Sequence, residues 1–139
     1  MTSNTSLIDD TISVLTESGL FENCKIVKAF ETKVKEVPLT QPIIAISIKE
    51  CTISERLETE DGIITKKRDV LSSLSTDIYL PLSVDSTVAF SIFDKIATLL
   101  IFTKAYSIAE AEFENLRYDS KSQAIILPVH FVFKSTVSA

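Results

Sequence analysis

Residues 43–82 read IIAISIKECT ISERLETEDG IITKKRDVLS SLSTDIYLPL. From Ile43 to Ile48, the isoleucines Ile44, Ile46 and Ile48 alternate with Ala45 and Ser47, the period of two that marks a strand with one well-buried face. From Ile53 to Asp69 the character changes: Glu55, Arg56, Glu58, Glu60, Asp61, Lys66, Lys67, Arg68 and Asp69 crowd around Asp61-Gly62. So much charge does not belong in a core. Asp-Gly between β-compatible arms predicts a tight hairpin turn with positive φ, and a charged hairpin that is solvated unless another subunit covers it. From Val70 the even positions Val70, Leu74, Ile78, Leu80 and Leu82 point one way, interrupted by Ser72 and Thr76, while Ser73, Ser75 and Asp77 point the other. A long strand therefore runs out of the hairpin to Pro81, at an end where a missing backbone donor costs least.

Outward from this hairpin the chain supplies two helices and further strands. Ile8, Ile12 and Leu15 recur at helical spacing after the potential caps Asn4 or Ser6, and Gly19 followed by Leu20 predicts a glycine stop. Cys24–Phe30 is β-compatible, and Val37-Pro38-Leu39-Thr40-Gln41-Pro42 reads as an extended connection. A second helix begins near Ser83–Ser86 with Asp85 or Ser86 as cap. Its apolar stripe, Val88, Ala89, Ile92, Phe93, Ile96, Leu99 and Leu100, has the breadth of a helix laid across a sheet. Ile108–Arg117 alternates, with Glu110, Glu112 and Glu114 on one face and Ala109, Ala111 and Phe113 on the other. Tyr118–Ser122 reads as a turn, and Ala124–Lys134 as a last strand that forms a hairpin with the one before it; Pro128 argues that one of the two lies on an edge. The expected architecture is α+β: a mainly antiparallel sheet with helices packed on one face and a protruding charged β-hairpin, in a single domain over residues 1–139.

Composition narrows the function classes. With 139 residues, 45% hydrophobic and 24% charged, the chain is long enough to bury a sizeable core. Two glycines and four prolines exclude collagen-like and Pro-rich chains, and no apolar run approaches the roughly 18 residues of a membrane span. Nineteen acidic against fourteen basic residues give a net charge of −5, the wrong sign for neutralising many phosphates. Nucleic acid is not the expected partner, nor is a membrane. The polar start MTSNTS and the absence of a cysteine framework lead to the expectation of synthesis in a reducing, intracellular compartment.

No pattern for chemistry emerges. Cys24 and Cys51 are far apart, no CxxC is present, and His130 is the only histidine, too few soft ligands for zinc or iron. The expectation is no metal and no cofactor, since both phosphate-loop glycine motifs are absent as well. His130 is expected as a strand histidine on the polar side, and the cysteines as small buried or half-buried side chains. The row Glu110, Glu112, Glu114 places carboxylates about 7 Å apart. It reads either as a solvated sheet face or as an acidic lining, such as the lumen of a ring from which DNA is repelled. The hairpin charges Glu55, Arg56, Glu58, Glu60, Lys66, Lys67 and Arg68 read either as a solvated excursion or as a subunit interface built on intersubunit salt bridges.

The order of elements resembles one family. The helix ending at Gly19, the Pro42–Ile48 strand, the long charged hairpin, the helix Val84–Phe102 and the closing pair Leu116–Asp119 and Leu127–Phe133 are together similar to bacteriophage tail terminator and tail completion proteins, also found in phage tail-like bacteriocins. The resemblance implies a non-enzymatic ring, commonly a hexamer, that caps the head-proximal end of a tail tube. Its partners would be further copies of itself, the tail tube protein, and sheath or neck proteins. Its place would be the virion or tail-like particle, assembled in the bacterial host cytoplasm. The family offers no invariant side chain to carry over. Other classes stay open: another neck, connector or baseplate protein, a monomeric assembly accessory that grips an extended peptide on a sheet edge, and a small enzyme using His130 with Cys24, Cys51 or a carboxylate.

Overall fold

The computed structural model describes residues 4–29, 39–101 and 107–138. In chain order the elements are α1 (Asn4–Glu17), β1 (Lys25–Lys28), β2 (Ile43–Glu60), β3 (Ile63–Pro81), α2 (Thr87–Ile101), β4 (Ser107–Phe113), β5 (Arg117–Asp119), β6 (Ala124–Leu127) and β7 (Val129–Ser138). Phe30, Val37, Pro38 and Phe102, included in the sequence-based expectations above, lie outside the described residues. The architecture is α+β, with a mostly antiparallel sheet.

β2 and β3 are 18 and 19 residues long and pair antiparallel from Ile43↔Tyr79 to Glu60↔Ile63. The turn between them is Asp61-Gly62, with φ of 51° and 77°, the doubly positive conformation for which Asp-Gly is suited. One irregularity at Lys49 shifts the register between Ile48 and Glu50. Beyond it the residues of β2 that share a face with Leu74 and Ile78 change from even to odd numbers. The strand expected at Ile43–Ile48 is thus only the root of β2, and the charged hairpin is its continuation.

β6 and β7 lie end to end along β3, in the same register on either side of Pro128. β5 and β4 lie end to end along their outer side. Of the two closing strands, β4 lies on the edge, as expected for one of the pair, while the strand that contains Pro128 is paired on both sides. Pro128 is tolerated between two paired neighbours because the ladder breaks there: Val129 N–H donates to Asp77 Oδ1 at 3.2 Å, and the Pro128 carbonyl accepts from Glu114 N at 2.9 Å. Tyr118 and Asp119 belong to β5, and the turn comes after them, where Asp119 Oδ2 accepts from Ser122 N at 3.1 Å. β1 pairs parallel with β2, which no local pattern announced.

Both helices pack on one sheet face. Leu7 and Leu15 of α1, and Ala89, Ile92, Ile96 and Leu100 of α2, cover Ile44, Ile46, Leu74, Ile78, Leu80, Leu127, Val129, Phe131 and Phe133. Burying each large side chain contributes about 1.5–3 kcal/mol. α1 ends where Gly19 takes φ of 70°, and α2 starts where Asp85 Oδ1 accepts from Thr87 N at 2.9 Å. That hydrogen bond, with a second from the Thr87 hydroxyl, holds the Asp85 carboxyl below its ordinary range. On the other face a smaller cluster of Leu39, Ile43 and Ala124 packs with Val27 and Tyr79 at the root of the hairpin. Leu82, expected in line with Leu80, lies past the end of β3 and is exposed.

One core group is poorly matched to its surroundings. The Thr76 side chain is fully buried, and its hydroxyl has no hydrogen-bond partner among the described residues. Such a group costs about 1–3 kcal/mol in desolvation. Thr76→Val keeps the shape and removes that cost. Urea denaturation is expected to give a variant more stable by about 1 kcal/mol with an unchanged slope, and a loss of stability would contradict this reading of the core.

Candidate functional site

The helices cover only the root of the β2–β3 hairpin. Beyond Val70 it projects as an arm, joined on one side by the end of β7 as far as Lys67↔Ser138. Alternation gives the arm two unlike faces. The face turned away from the helices carries an ion-pair lattice. Arg56 Nε lies 3.0 Å from Asp69 Oδ2, Arg56 also pairs with Glu58, Lys67 Nζ lies 2.6 Å from Glu58 Oε2, and Thr136 Oγ1 donates to Asp69 Oδ1 at 3.0 Å. The helix-side face carries Ile53, Leu57 and Ile64, which are 57%, 64% and 68% exposed, alongside Glu55, Lys66 and Arg68. Lys66 Nζ is 3.8 Å from Glu55 Oε1.

The seven charges expected at an interface therefore divide. Arg56, Glu58 and Lys67 satisfy one another within the chain, Glu60 lies on that same face near the tip, and Glu55, Lys66 and Arg68 stand among exposed apolar side chains. The branched residues Ile53, Leu57 and Ile64 did not enter the expected set, although the spacing of Ile53 and Leu57 within the charged run was visible.

Glu110 and Glu112 share one face of β4, opposite Val132 and His130, and this is the sheet face without helices. Glu114 follows in the loop after β4 but lies over the same face, beside a depression of about 490 Å³ lined by Ser47, Lys49, Ser75, Asp77, Arg117 and His130. His130 is half-buried there, with Nε2 2.6 Å from Glu112 Oε1. Spacing alone suggested no carboxylate partner for His130; the pairing of β4 with β7 supplies one. Lys49 and Arg117 also sit among the acids, so this face is mixed in sign with carboxylates along one border.

The chemistry on offer is limited. Ser75 Oγ donates to Asp77 Oδ1 at 3.1 Å, while the imidazole is engaged by Glu112. No recorded hydrogen bond among the described residues joins serine to imidazole, the link that activates a hydroxyl nucleophile. Cys51, expected to be at least half-buried, is exposed on the arm's helix-side face; Ser72 Oγ lies 3.7 Å from its sulfur. Cys24 is half-buried in a separate hollow with Leu15, Phe21 and Ile26. Burial raises its thiol pKa against the opposing effect of Lys95, which disfavours the reactive thiolate. Among the described residues no His, Cys, Asp and Glu side chains cluster in a way that could hold a metal ion, and no helix is long and apolar enough to cross a membrane.

The ion-pair lattice has a measurable signature. The hydrogen bond from Lys67, aided by Arg56, holds the Glu58 carboxyl below its ordinary value of 4.5. At Asp69 partial desolvation pushes the pKa up, but Thr136, Arg56 and Lys134 outweigh it, and the carboxyl lies below 3.8. Depressed acids contribute stability above their ordinary values and lose it as the pH falls through the folded values. Carboxyl carbon NMR titration is expected to give midpoints below 4.5 and 3.8 for the two groups. Arg56→Ala should raise both, and unshifted midpoints in the parent chain would contradict the lattice.

No protein-family model matches the chain, and no curated protein matches it in sequence.

Proposed function

We propose that the chain is a structural assembly protein of the tail-terminator kind. On this reading it forms a ring, roughly six copies around, that closes the head-proximal end of a phage or phage-like tail tube and joins it to the neck, without turnover. One observation carries the reading: at the level of the arm's root the sheet has four strands in strict alternation and, among the described residues, an open edge on each side. β2 runs outward, β3 back, β7 outward and β4 back. A second copy rotated about an axis near the strand direction brings its β2 beside the first copy's β4, antiparallel, with the helices on the same side. Such a heterologous join repeats until it closes.

The levels match. Traced through β7 and β3, Glu112 stands level with Ser47 and Ser107 level with Thr52. β1 pairs as far as Ile46, and Ala29 N–H donates to the Ile46 carbonyl at 2.8 Å. Among the described residues the edge of β2 is open outward of Ser47. About 24 strands at ~4.8 Å spacing and ~40° tilt make a cylinder about 45–50 Å across between backbones. Helices would then face outward, and the mixed polar face with Glu110, Glu112 and Glu114 would face the lumen, where an acid border disfavours retention of DNA.

The edge gives a clean test. Glu114 N–H donates inward to Pro128, so by alternation Glu112 and Glu110 also bond inward and the Ala111 N–H points outward. Ala111→Pro removes that outward donor and none of the chain's own ladder bonds. Circular dichroism is expected to show a folded protein, and sedimentation velocity a half-assembly concentration raised at least about tenfold, which corresponds to ~1.4 kcal/mol or more. A folded Ala111→Pro protein that assembles like its parent would overturn the reading.

A further inference from the structure

The exposed helix-side face of the arm has a geometrically defined neighbour once copies join edge to edge, and the inference below rests on that join. Phe90 and Phe93 of α2 make edge-on ring contacts with Phe113 of β4, with ring centroids 5.3 and 5.1 Å apart. α2 therefore has one flank that overlooks the β4 edge. By helical spacing Asp94 and Ile101 continue the flank begun by Phe90, at offsets of about one and three turns. Asp94 is exposed, Ile101 is 63% exposed, and Phe113 below them is 47% exposed. The next residue along, Lys95, acts on Cys24, on the far side of α2. The flank is accordingly apolar at its ends, with an acid between.

We infer that this α2 flank receives the arm of the adjoining copy, with Ile53 and Leu57 against Ile101 and Phe113, and Arg68 reaching Asp94. Three features select a second copy as the occupant. The strand that would join β4 is β2, which carries Ile53 and Leu57 on the same side of the sheet as α2. On the arm's other face Arg56, Glu58, Lys67 and Asp69 are already spent on one another, and its exposed apolar side chain is Ile63 at the tip. The arm's surplus cation, Arg68, meets an acid, with Glu55 occupied by Lys66 on its own arm.

A two-fold packing of arm on arm fits worse. With the arms laid face to face, an axis along the strands drives the two helix layers into each other, because both lie on the contacting face. An axis across the strands clears the helices but sets Arg68 over the partner's Lys66. The contact is therefore heterologous, arm to flank, and burial of Ile53 and Leu57 gives it an apolar centre with a charged border.

Cross-linking distinguishes the possibilities. In a Cys24→Ser, Cys51→Ser background, Ile53→Cys combined with Ile101→Cys is treated with a short bis-maleimide, and mass is followed by light scattering before treatment. The expected result is a covalent ladder up to the size of the ring from the double variant and monomers from either single variant. Dimers from Ile53→Cys alone would mean arm-on-arm pairing and overturn the inference. Rings by light scattering with no ladder would overturn the arm-to-flank contact and leave the ring intact. Absence of rings in the Cys24→Ser, Cys51→Ser parent itself would overturn the ring reading, and the inference with it.

Discussion

A ladder of backbone hydrogen bonds runs from Ile43↔Tyr79 to Glu60↔Ile63, interrupted once at Lys49, and the rest of the molecule is arranged by which part of it the helices cover. Backbone donors and acceptors must be paired wherever water is excluded, so the root of the ladder, flanked by β1 and β6 and roofed by α1 and α2, becomes the core. The outer part has no roof. It is held as a paired ribbon by the β2–β3 ladder and by β7 as far as Lys67↔Ser138, with the ion pairs of Arg56, Glu58, Lys67 and Asp69 adding to one face. What it leaves exposed is the opposite face, where Ile53, Leu57 and Ile64 keep more than half of their surface in solvent.

The same ladder explains why the sheet tolerates a proline in a paired strand. Asp77 projects from β3 to the point where β6 ends and β7 begins, and its carboxylate accepts the Val129 N–H that has lost its regular partner. The break lets one long course of chain pass beside β3 while its direction adjusts at Pro128. It also brings β4 against β7 so that Glu112 meets His130. The polar depression on the helix-free face lies beside that break, lined by residues from β2, β3, β5, β7 and the β4–β5 loop.

Much of this was legible in the residues. Asp61-Gly62 announced the turn, the even positions from Val70 to Leu80 announced the buried face of β3, and Gly19 and Asp85 marked helix ends. The charged stretch Ile53–Asp69 was legible as a hairpin, but its role as an unbroken extension of the Ile43–Ile48 strand was not, since charge reads as a change of element and only pairing shows continuity. The bulge at Lys49 carries no local signature, yet it decides that Ile53 and Leu57 share the helix side. The parallel partner β1 and the pairing of His130 with Glu112 depend on contacts between distant segments, which no short-range pattern encodes. The set of interface charges was read as one group because sequence spacing does not reveal which acids and bases are already spent on each other.

An arm with ion pairs on one face and exposed Ile53, Leu57 and Ile64 on the other, a sheet with two edges open among the described residues, and a strict alternation of four strands are all consistent with the proposed continuation of the chain into copies of itself. Open edges in a protein that stays alone are usually blunted. Here the bulge and the charges restrain one edge without closing it. The most direct test is the mass of the purified protein by light scattering over a concentration series, with electron-microscope images of the largest species. The account predicts a closed ring with a central opening and a mass near six times 15.4 kDa. A protein that remains a 15.4 kDa monomer at every concentration would contradict it.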